Sequence, residues 1–270
     1  MNSATDDVQT DSTTLPRNTV PRNAPPRKFP GWTMLTIAGL AQFLSAPGQS
    51  YSVAAVKDPM REGLGLSETQ YSLAYATATV VSAILLPFTG RLTDRYGARV
   101  MLPCLGILLG TACYFMSTVS SLPQLYVAFM IVRSLGQGAL ILVSAWLIGE
   151  WFCRRRGMAT AIAGLGGGLS VMTVPLMNNW FVQNYSWQSA WLALAGLVWV
   201  LLVIPAAVFV RDRPEDIGFL PDGDAVPPAT VSASVSGAGE AVEATTASKH
   251  PTTETWTVGG GNRRNQCSRC

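Results

Sequence analysis

Long apolar runs separated by short charged segments constrain this chain more than any other feature. Six runs are found, over residues 32–56, 69–89, 100–119, 122–149, 158–181 and 187–210. Runs of about 20 apolar residues are long enough to cross the hydrocarbon core of a bilayer. In lipid each backbone polar group has to be satisfied internally, and the alternation typical of barrel strands is absent, so we expect helices. The sequence therefore predicts an all-α membrane protein with six transmembrane helices.

Composition agrees with a membrane protein and argues against other classes. Charged residues make up 13% of the 270 residues, whereas soluble domains carry about 25%. The net charge of +3 comes from short loops between apolar runs, so it does not indicate a nucleic-acid partner. The five cysteines form no disulfide framework. Cys267 and Cys270 form a C-x-x-C pair far from His250, short of the four ligands of a closed zinc site. We expect no metal and no cofactor, and the lipid bilayer as a partner.

The two ends of the chain differ from its centre. Residues 1–28 are rich in Thr, Ser, Asp, Asn and Pro, and residues 214–270 are rich in Pro, Ala, Ser, Thr and Gly. Neither segment has enough apolar residues to build a core. We predict a disordered N-terminal tail over 1–28, a six-helix unit over 29–213, and a disordered linker or tail over 214–270.

The orientation of the helices follows from the basic residues in the short loops. Twelve basic residues fall on one side and two on the other. The richer side holds Arg17, Arg22, Arg27, Lys28, Arg91, Arg95, Arg99, Arg154, Arg155, Arg156, Arg211 and Arg213; the poorer side holds Lys57 and Arg61. This imbalance predicts a cell membrane protein, plasma or inner, with both termini in the cytoplasm.

A charged segment of ten residues joins the second and third runs. Its pattern is G-x-x-x-D-R-x-G-x-R. The glycines and charged residues of the segment are Gly90, Arg91, Asp94, Arg95, Gly97 and Arg99. We interpret it as a tight loop with a glycine at each turning point. Taken alone, Asp94 is expected to pair with the neighbouring arginines, and an exposed pair of that kind contributes about 0 to 1 kcal/mol.

Arg133 is the only formal charge deep within an apolar run. A charge near the middle of a bilayer costs at least about 3 kcal/mol, so it should face a cavity or a partner. Gln137 lies one turn further along and Ser144 three turns, which puts all three on one helical face. Two readings stay open. Arg133 is either an anion-binding or coupling residue in a pathway, or a structural residue bonded to backbone carbonyls or a neighbouring polar helix.

Other polar side chains could line a cavity with this arginine. Gln42 and Gln49 are seven residues apart in the first run, and Pro47 with the following glycine should kink or open the helix between them. Tyr71 and Tyr75 are one turn apart in the second run. Ordinary hydrogen bonding between helices is an equally good reading of these four side chains.

The fifth run contains a cluster of glycines over residues 163–170. A phosphate-binding loop would follow a strand and open a helix, whereas this cluster sits inside an apolar run. Small residues allow two helices to approach closely, so we predict close helix packing here.

The charged segment resembles the signature between the second and third helices of the major facilitator superfamily of secondary transporters. Residues 133–138 resemble its fourth-helix signature. Within the superfamily, several pieces are similar to the branch of oxalate/formate antiporters and monocarboxylate transporters. These pieces are residues 48–51, 58–60, 64–67, 151–157 and 213–218.

The resemblance implies a transporter rather than an enzyme, moving a small organic anion, a monocarboxylate or dicarboxylate, by proton symport or anion exchange. It also implies that Asp94 closes a cytoplasmic gate against the second half of the protein. The acidic residue that many monocarboxylate carriers have at the start of the first helix is absent, since residues 29–32 read Phe-Pro-Gly-Trp.

Members of the superfamily have two six-helix halves around a central site. The length of the chain predicts one half with its linker, and a partner that is either the missing C-terminal half or a second copy. A fragment or scaffold that does not transport, and a half-transporter working as a homodimer, stay open as alternatives.

Overall fold

The structure, a computed structural model, describes residues 30–212, and this part of the chain is helical throughout, without a strand. The α-helices are α1 (Gly31–Leu44), α2 (Ser50–Gly63), α3 (Glu68–Tyr96), α4 (Ala98–Ser117), α5 (Leu122–Arg133), α6 (Ile141–Trp151), α7 (Arg156–Asn184), α8 (Trp187–Val198) and α9 (Ile204–Phe209). A 3-10 turn, Ala46–Gly48, follows α1. Two π-helical segments, Ser134–Leu140 and Trp199–Val203, join α5 to α6 and α8 to α9.

Five helices in this part of the chain are long and apolar enough to cross a membrane. They are Glu68–Tyr96, Ala98–Ser117, Leu122–Trp151, Arg156–Asn184 and Trp187–Phe209. They correspond to the last five predicted runs. The first predicted run is not one continuous helix, because it is divided into α1 and α2, of 14 residues each.

The break in the first run has a local cause. Pro47 has no N–H, so the carbonyl of Phe43 four residues earlier lacks its regular helical hydrogen bond. Gln49 is extended, with φ −90° and ψ 150°, which ends the helical path. The hydroxyl of Ser170 on α7 donates to the Phe43 carbonyl at 2.8 Å, and the Tyr51 hydroxyl lies 2.8 Å from the same Ser170 oxygen. The predicted opening at Pro47 is confirmed, and a neighbouring helix satisfies the carbonyl it leaves.

The charged segment between α3 and α4 is almost entirely helical. Gly90 lies inside α3, and only Gly97 separates α3 from α4. The prediction of a loop with two turning points is therefore wrong at Gly90 and confirmed at Gly97, whose φ of 75° favours glycine. The reversal needs only this one residue. A carboxylate oxygen of Asp212 accepts from the backbone N–H of Arg99 at 2.7 Å, which caps the start of α4.

Glycines set the closest helix contacts. A Cβ on Gly166 of α7 would lie 2.1 Å from the carbonyl oxygen of Gly39 on α1, and a Cβ on Gly110 of α4 would lie 2.2 Å from the indole nitrogen of Trp199. A side chain at either place would force the facing residue to shift. The predicted close packing of the glycine-rich helix is confirmed at Gly166. The predicted disordered segments, 1–28 and 214–270, lie outside the described residues.

Candidate functional site

Arg133 ends α5 and is 6% exposed. Its guanidinium reaches two other elements, α3 and the 3-10 turn. Nε donates to the Thr79 hydroxyl of α3 at 2.7 Å, and Nη1 donates to the Gly48 carbonyl at 3.1 Å. Nη1 also donates to the Tyr75 hydroxyl, and the guanidinium carbon lies 4.2 Å from the centre of the Tyr75 ring. The side chain therefore ties α5 to α3 and to the break in the first run.

The Arg133 guanidinium has only neutral partners among the described residues. Within residues 30–212 no carboxylate lies within 4.0 Å of it. Three ion pairs, which join Lys57 and Arg61 to Glu62 and Glu68, lie elsewhere, around the turn between α2 and α3. A buried guanidinium without a counter-charge attracts an anion strongly, because the surrounding low dielectric weakens the screening of its charge.

The break in the first run packs tightly on the π-helical segment after Arg133. A Cβ on Gly48 would lie 2.6 Å from the backbone nitrogen of Gln137, and a Cβ on Gly136 would lie 2.9 Å from the Cα of Gly48. Because both residues are glycines, the Gly48 carbonyl comes within reach of Arg133. The irregular backbone of the two elements thus lies against one side of the Arg133 guanidinium.

The other side of the site is polar and open. The Tyr75 hydroxyl donates to the Ser50 hydroxyl at the start of α2, at 2.6 Å, while Ser50 and Thr79 are both exposed. We name the cluster of Ser50, Tyr75, Thr79 and Arg133 the arginine site. Polar groups at the centre of an apolar helix are expensive in contact with lipid, so this face suits an aqueous cavity or a protein partner.

The structure brings only part of the predicted set together. Tyr75 and Arg133 are in direct contact. Tyr71 is instead a core residue, 2% exposed, with its ring 5.3 Å from that of Phe129. Gln49 donates to the Ser45 hydroxyl at 3.2 Å, and Gln42 faces α7, where a Cβ on Gly167 would lie 3.8 Å from its amide oxygen.

The face predicted for Arg133, Gln137 and Ser144 stays a prediction, and a π-helical segment, Ser134–Leu140, follows Arg133. The Gln137 amide oxygen is buried without a hydrogen-bond partner among the described residues. The Ser144 hydroxyl donates to the Ile141 carbonyl at 2.8 Å and is fully buried. Neither side chain bonds to Arg133.

Sequence reasoning missed Thr79, Ser50 and the Gly48 carbonyl. Thr79 lies four residues after Tyr75, so the helical spacing could have placed both on one face. Ser50 directly follows the predicted opening of the first run, which also could have indicated it. The Gly48 carbonyl carries no side-chain signal, and its role depends on contact with a residue 85 positions away.

The charged segment lies away from the arginine site. A carboxylate oxygen of Asp94 accepts from the indole N–H of Trp146 on α6 at 3.2 Å. The Arg95 guanidinium lies 5.5 Å from the centre of the Tyr96 ring. Asp94 therefore links α3 to α6 at the same end of the bundle as the Gly97 turn.

The family model of the major facilitator superfamily matches residues 38–257. The chain therefore belongs to the major facilitator superfamily. Together with its apolar helices, this makes it a multi-pass membrane protein. The family predicted from the charged segment and from residues 133–138 is confirmed.

Individual relatives are transporters of acids. The chain is 27% identical over 181 residues to the oxalate:formate antiporter of Oxalobacter formigenes, covering 67% of this chain and 42% of the relative. It is 27% identical over 162 residues to human monocarboxylate transporter 6, covering 60% of this chain and 31% of the relative. It is 27% identical over 173 residues to the galacturonate transporter of Dickeya chrysanthemi, covering 63% of this chain and 50% of the relative. The first two confirm the predicted branch, and the chain spans half or less of the length of these relatives.

Proposed function

We propose that this chain forms the anion-binding half of a secondary active transporter for a small organic acid, a monocarboxylate or a dicarboxylate. Arg133 is the residue that binds the carboxylate in this proposal. Membership of a transporter family argues for transport rather than enzymatic catalysis. The relatives named for oxalate, formate, monocarboxylates and galacturonate support an anionic substrate.

One observation carries the proposal. Arg133 is a buried cation whose bonded partners are all neutral and which has no described carboxylate nearby. Its neighbours Thr79 and Ser50 are exposed on one face of the bundle. A permanently charged guanidinium placed beside such an open face is suited to bind a carboxylate.

The proposal also assigns the membrane topology. The broken pair α1 and α2 acts as one crossing, which makes six crossings with the five continuous helices. Both ends of the six-helix unit then lie in the cytoplasm of a plasma or inner membrane, on the side with most basic residues.

Transport in this proposal requires a second six-helix bundle. In the most apolar 18 residues of α3 and of α7, only 11% and 17% of residues are buried, compared with 50% for α4. These two exposed helices are the surface for the second bundle, because alternating access needs one bundle to move against another. A C-terminal half or a second copy of the chain would serve. A chain that binds without transporting is the alternative.

The proposal is tested on purified protein in liposomes. Labelled oxalate, formate and galacturonate are first tested for equilibrium binding and then for uptake under an imposed proton gradient. We expect binding that Arg133→Ala removes and that Arg133→Lys weakens, because lysine keeps the charge and loses the planar fork. Arg99→Ala is the control for loss of a positive charge at the membrane surface.

The outcomes separate the alternatives. Binding that survives in Arg133→Ala, with normal membrane insertion, would show that Arg133 is structural and would refute the proposal. Saturable uptake by the chain alone, lost in Arg133→Ala, would identify the second bundle as another copy. Binding without uptake would indicate a binding half that needs a different second bundle.

A further inference from the structure

The guanidinium of Arg133 has five N–H groups, and the fold uses those of Nε and Nη1. Nε is used by Thr79, and Nη1 is used by the Gly48 carbonyl and the Tyr75 hydroxyl. No described residue accepts from Nη2. A carboxylate that arrives therefore finds one free nitrogen. It cannot form a two-nitrogen fork, the strongest arginine–carboxylate geometry, without displacing a partner.

Two edges of the guanidinium could form that fork, and they differ in what has to be displaced. The edge of Nη1 and Nη2 is blocked by the Gly48 carbonyl and Tyr75. Gly48 is buried, and within residues 30–212 Arg133 is the donor to its carbonyl. Removing the arginine would leave a buried acceptor unsatisfied, which carries the full desolvation penalty of that group.

The edge of Nε and Nη2 is blocked only by the Thr79 hydroxyl. Thr79 is exposed, and its hydroxyl also donates to the Tyr75 carbonyl at 3.0 Å. When Arg133 leaves, this hydroxyl keeps its own bond and loses only an acceptor contact that water can replace. Displacement at this edge is therefore much easier than at the other.

We infer that an incoming carboxylate binds across Nε and Nη2 of Arg133 and displaces the Thr79 hydroxyl, while Nη1 stays bound to the Gly48 carbonyl. This inference rests on the proposed anion-binding function. Thr79 then acts as an internal competitor that sets the affinity of the site. Tyr75 and Gly48 are positioning groups that hold the guanidinium plane with its Nε–Nη2 edge towards the exposed side of α3.

The arrangement has a consequence for the kind of ligand. Carboxylates and other planar oxyanions present two oxygens that match the two parallel N–H groups of this edge. A halide is a single atom, so two parallel N–H groups cannot both point straight at it, and both hydrogen bonds are bent. The site therefore discriminates between anions by geometry as well as by charge.

The inference is tested by replacing Thr79 in the full chain and measuring equilibrium binding of labelled oxalate in detergent. Thr79→Val keeps the shape and removes the competing oxygen, so we expect oxalate to bind about three- to tenfold more tightly, the range of one hydrogen bond. Thr79→Ala, a second variant in case valine disturbs the helix, should give the same direction. Thr79→Ser keeps the hydroxyl and should bind oxalate with the wild-type affinity.

Two further variants make the test specific. Thr77→Val is the matched control, because the Thr77 hydroxyl bonds only to the Leu73 and Ala74 carbonyls of its own helix. It should bind oxalate like the wild type. Tyr75→Phe removes an acceptor from the opposite edge, and it should tighten oxalate binding less than Thr79→Val does.

Each result decides a different point. If Tyr75→Phe tightens binding and Thr79→Val does not, the carboxylate uses the other edge and the inference is overturned. If Thr79→Val lowers only the unfolding temperature without changing the dissociation constant, Thr79 is purely structural and the inference is again overturned. If oxalate does not bind, or binds equally to Arg133→Ala, the proposed function itself fails.

Discussion

Replacing Gly48 by alanine tests the tight contact that places the arginine site. The new Cβ would lie 2.6 Å from the backbone nitrogen of Gln137 and 2.8 Å from two further backbone atoms, of Gly136 and Val132. All three distances are well short of the 3.4 Å at which ordinary van der Waals contact starts. Backbone cannot rotate away as a side chain can, so the two elements have to separate.

The expected effect has two parts. Overpacking in a filled core costs about 1 to 3 kcal/mol. Separation also lengthens the 3.1 Å bond between the Gly48 carbonyl and Arg133, and a buried carbonyl left without a donor costs about 1 to 3 kcal/mol. We therefore expect Gly48→Ala to reduce the free energy of unfolding by about 2 to 6 kcal/mol in total.

The assay is thermal unfolding in detergent, followed by circular dichroism. Gly164→Ala and Gly168→Ala are matched controls, because a Cβ at either position meets nothing within 4 Å. Alanine favours a helix over glycine by about 1 kcal/mol, so both controls should be as stable as the wild type or more so. If Gly48→Ala unfolds together with the controls, the close approach of the two backbones is refuted.

Two more predictions concern the break in the first run and the topology. Ser170→Ala removes the side-chain donor to the Phe43 carbonyl and should destabilise the protein by about 1 kcal/mol in the same unfolding assay. Thr173→Ala, whose hydroxyl bonds only to the Leu169 carbonyl of its own helix, should have a smaller effect. In a cysteine-free background, single cysteines at Tyr185, Tyr96 and Arg155 should react with an impermeant reagent from outside the cell only at Tyr185, and outside labelling at Tyr96 would overturn the proposed orientation.

The sequence predicted the helices well because length and polarity decide whether a segment crosses the bilayer as a helix. Five of the six runs are continuous apolar helices. The break at Pro47 was also predictable, since a proline removes a helical hydrogen bond wherever it stands inside a helix. The continuation of α3 through Gly90 was not foreseen, because glycine is tolerated in a helix when neighbouring residues continue it.

The arginine site was predictable only in its central residue. A lone charge in an apolar run is conspicuous, and Tyr75 was assigned to the same cavity. The π-helical segment after Arg133 could not be predicted from the residues. The Gly48 carbonyl joins the site through a contact between separate elements, which the spacing within one run does not encode.

The Asp212 contact with the Gly97 turn has a mechanical consequence. The carboxylate of Asp212 holds the start of α4, and the carbonyl of the preceding Arg211 accepts from the Trp151 indole at the end of α6 at 3.1 Å. The chain leaving α9 is thus fastened at two points to the end of the bundle that carries Asp94. A pull on the polypeptide beyond Asp212 is transmitted first to the α3–α4 turn and the end of α6, and only then to α9.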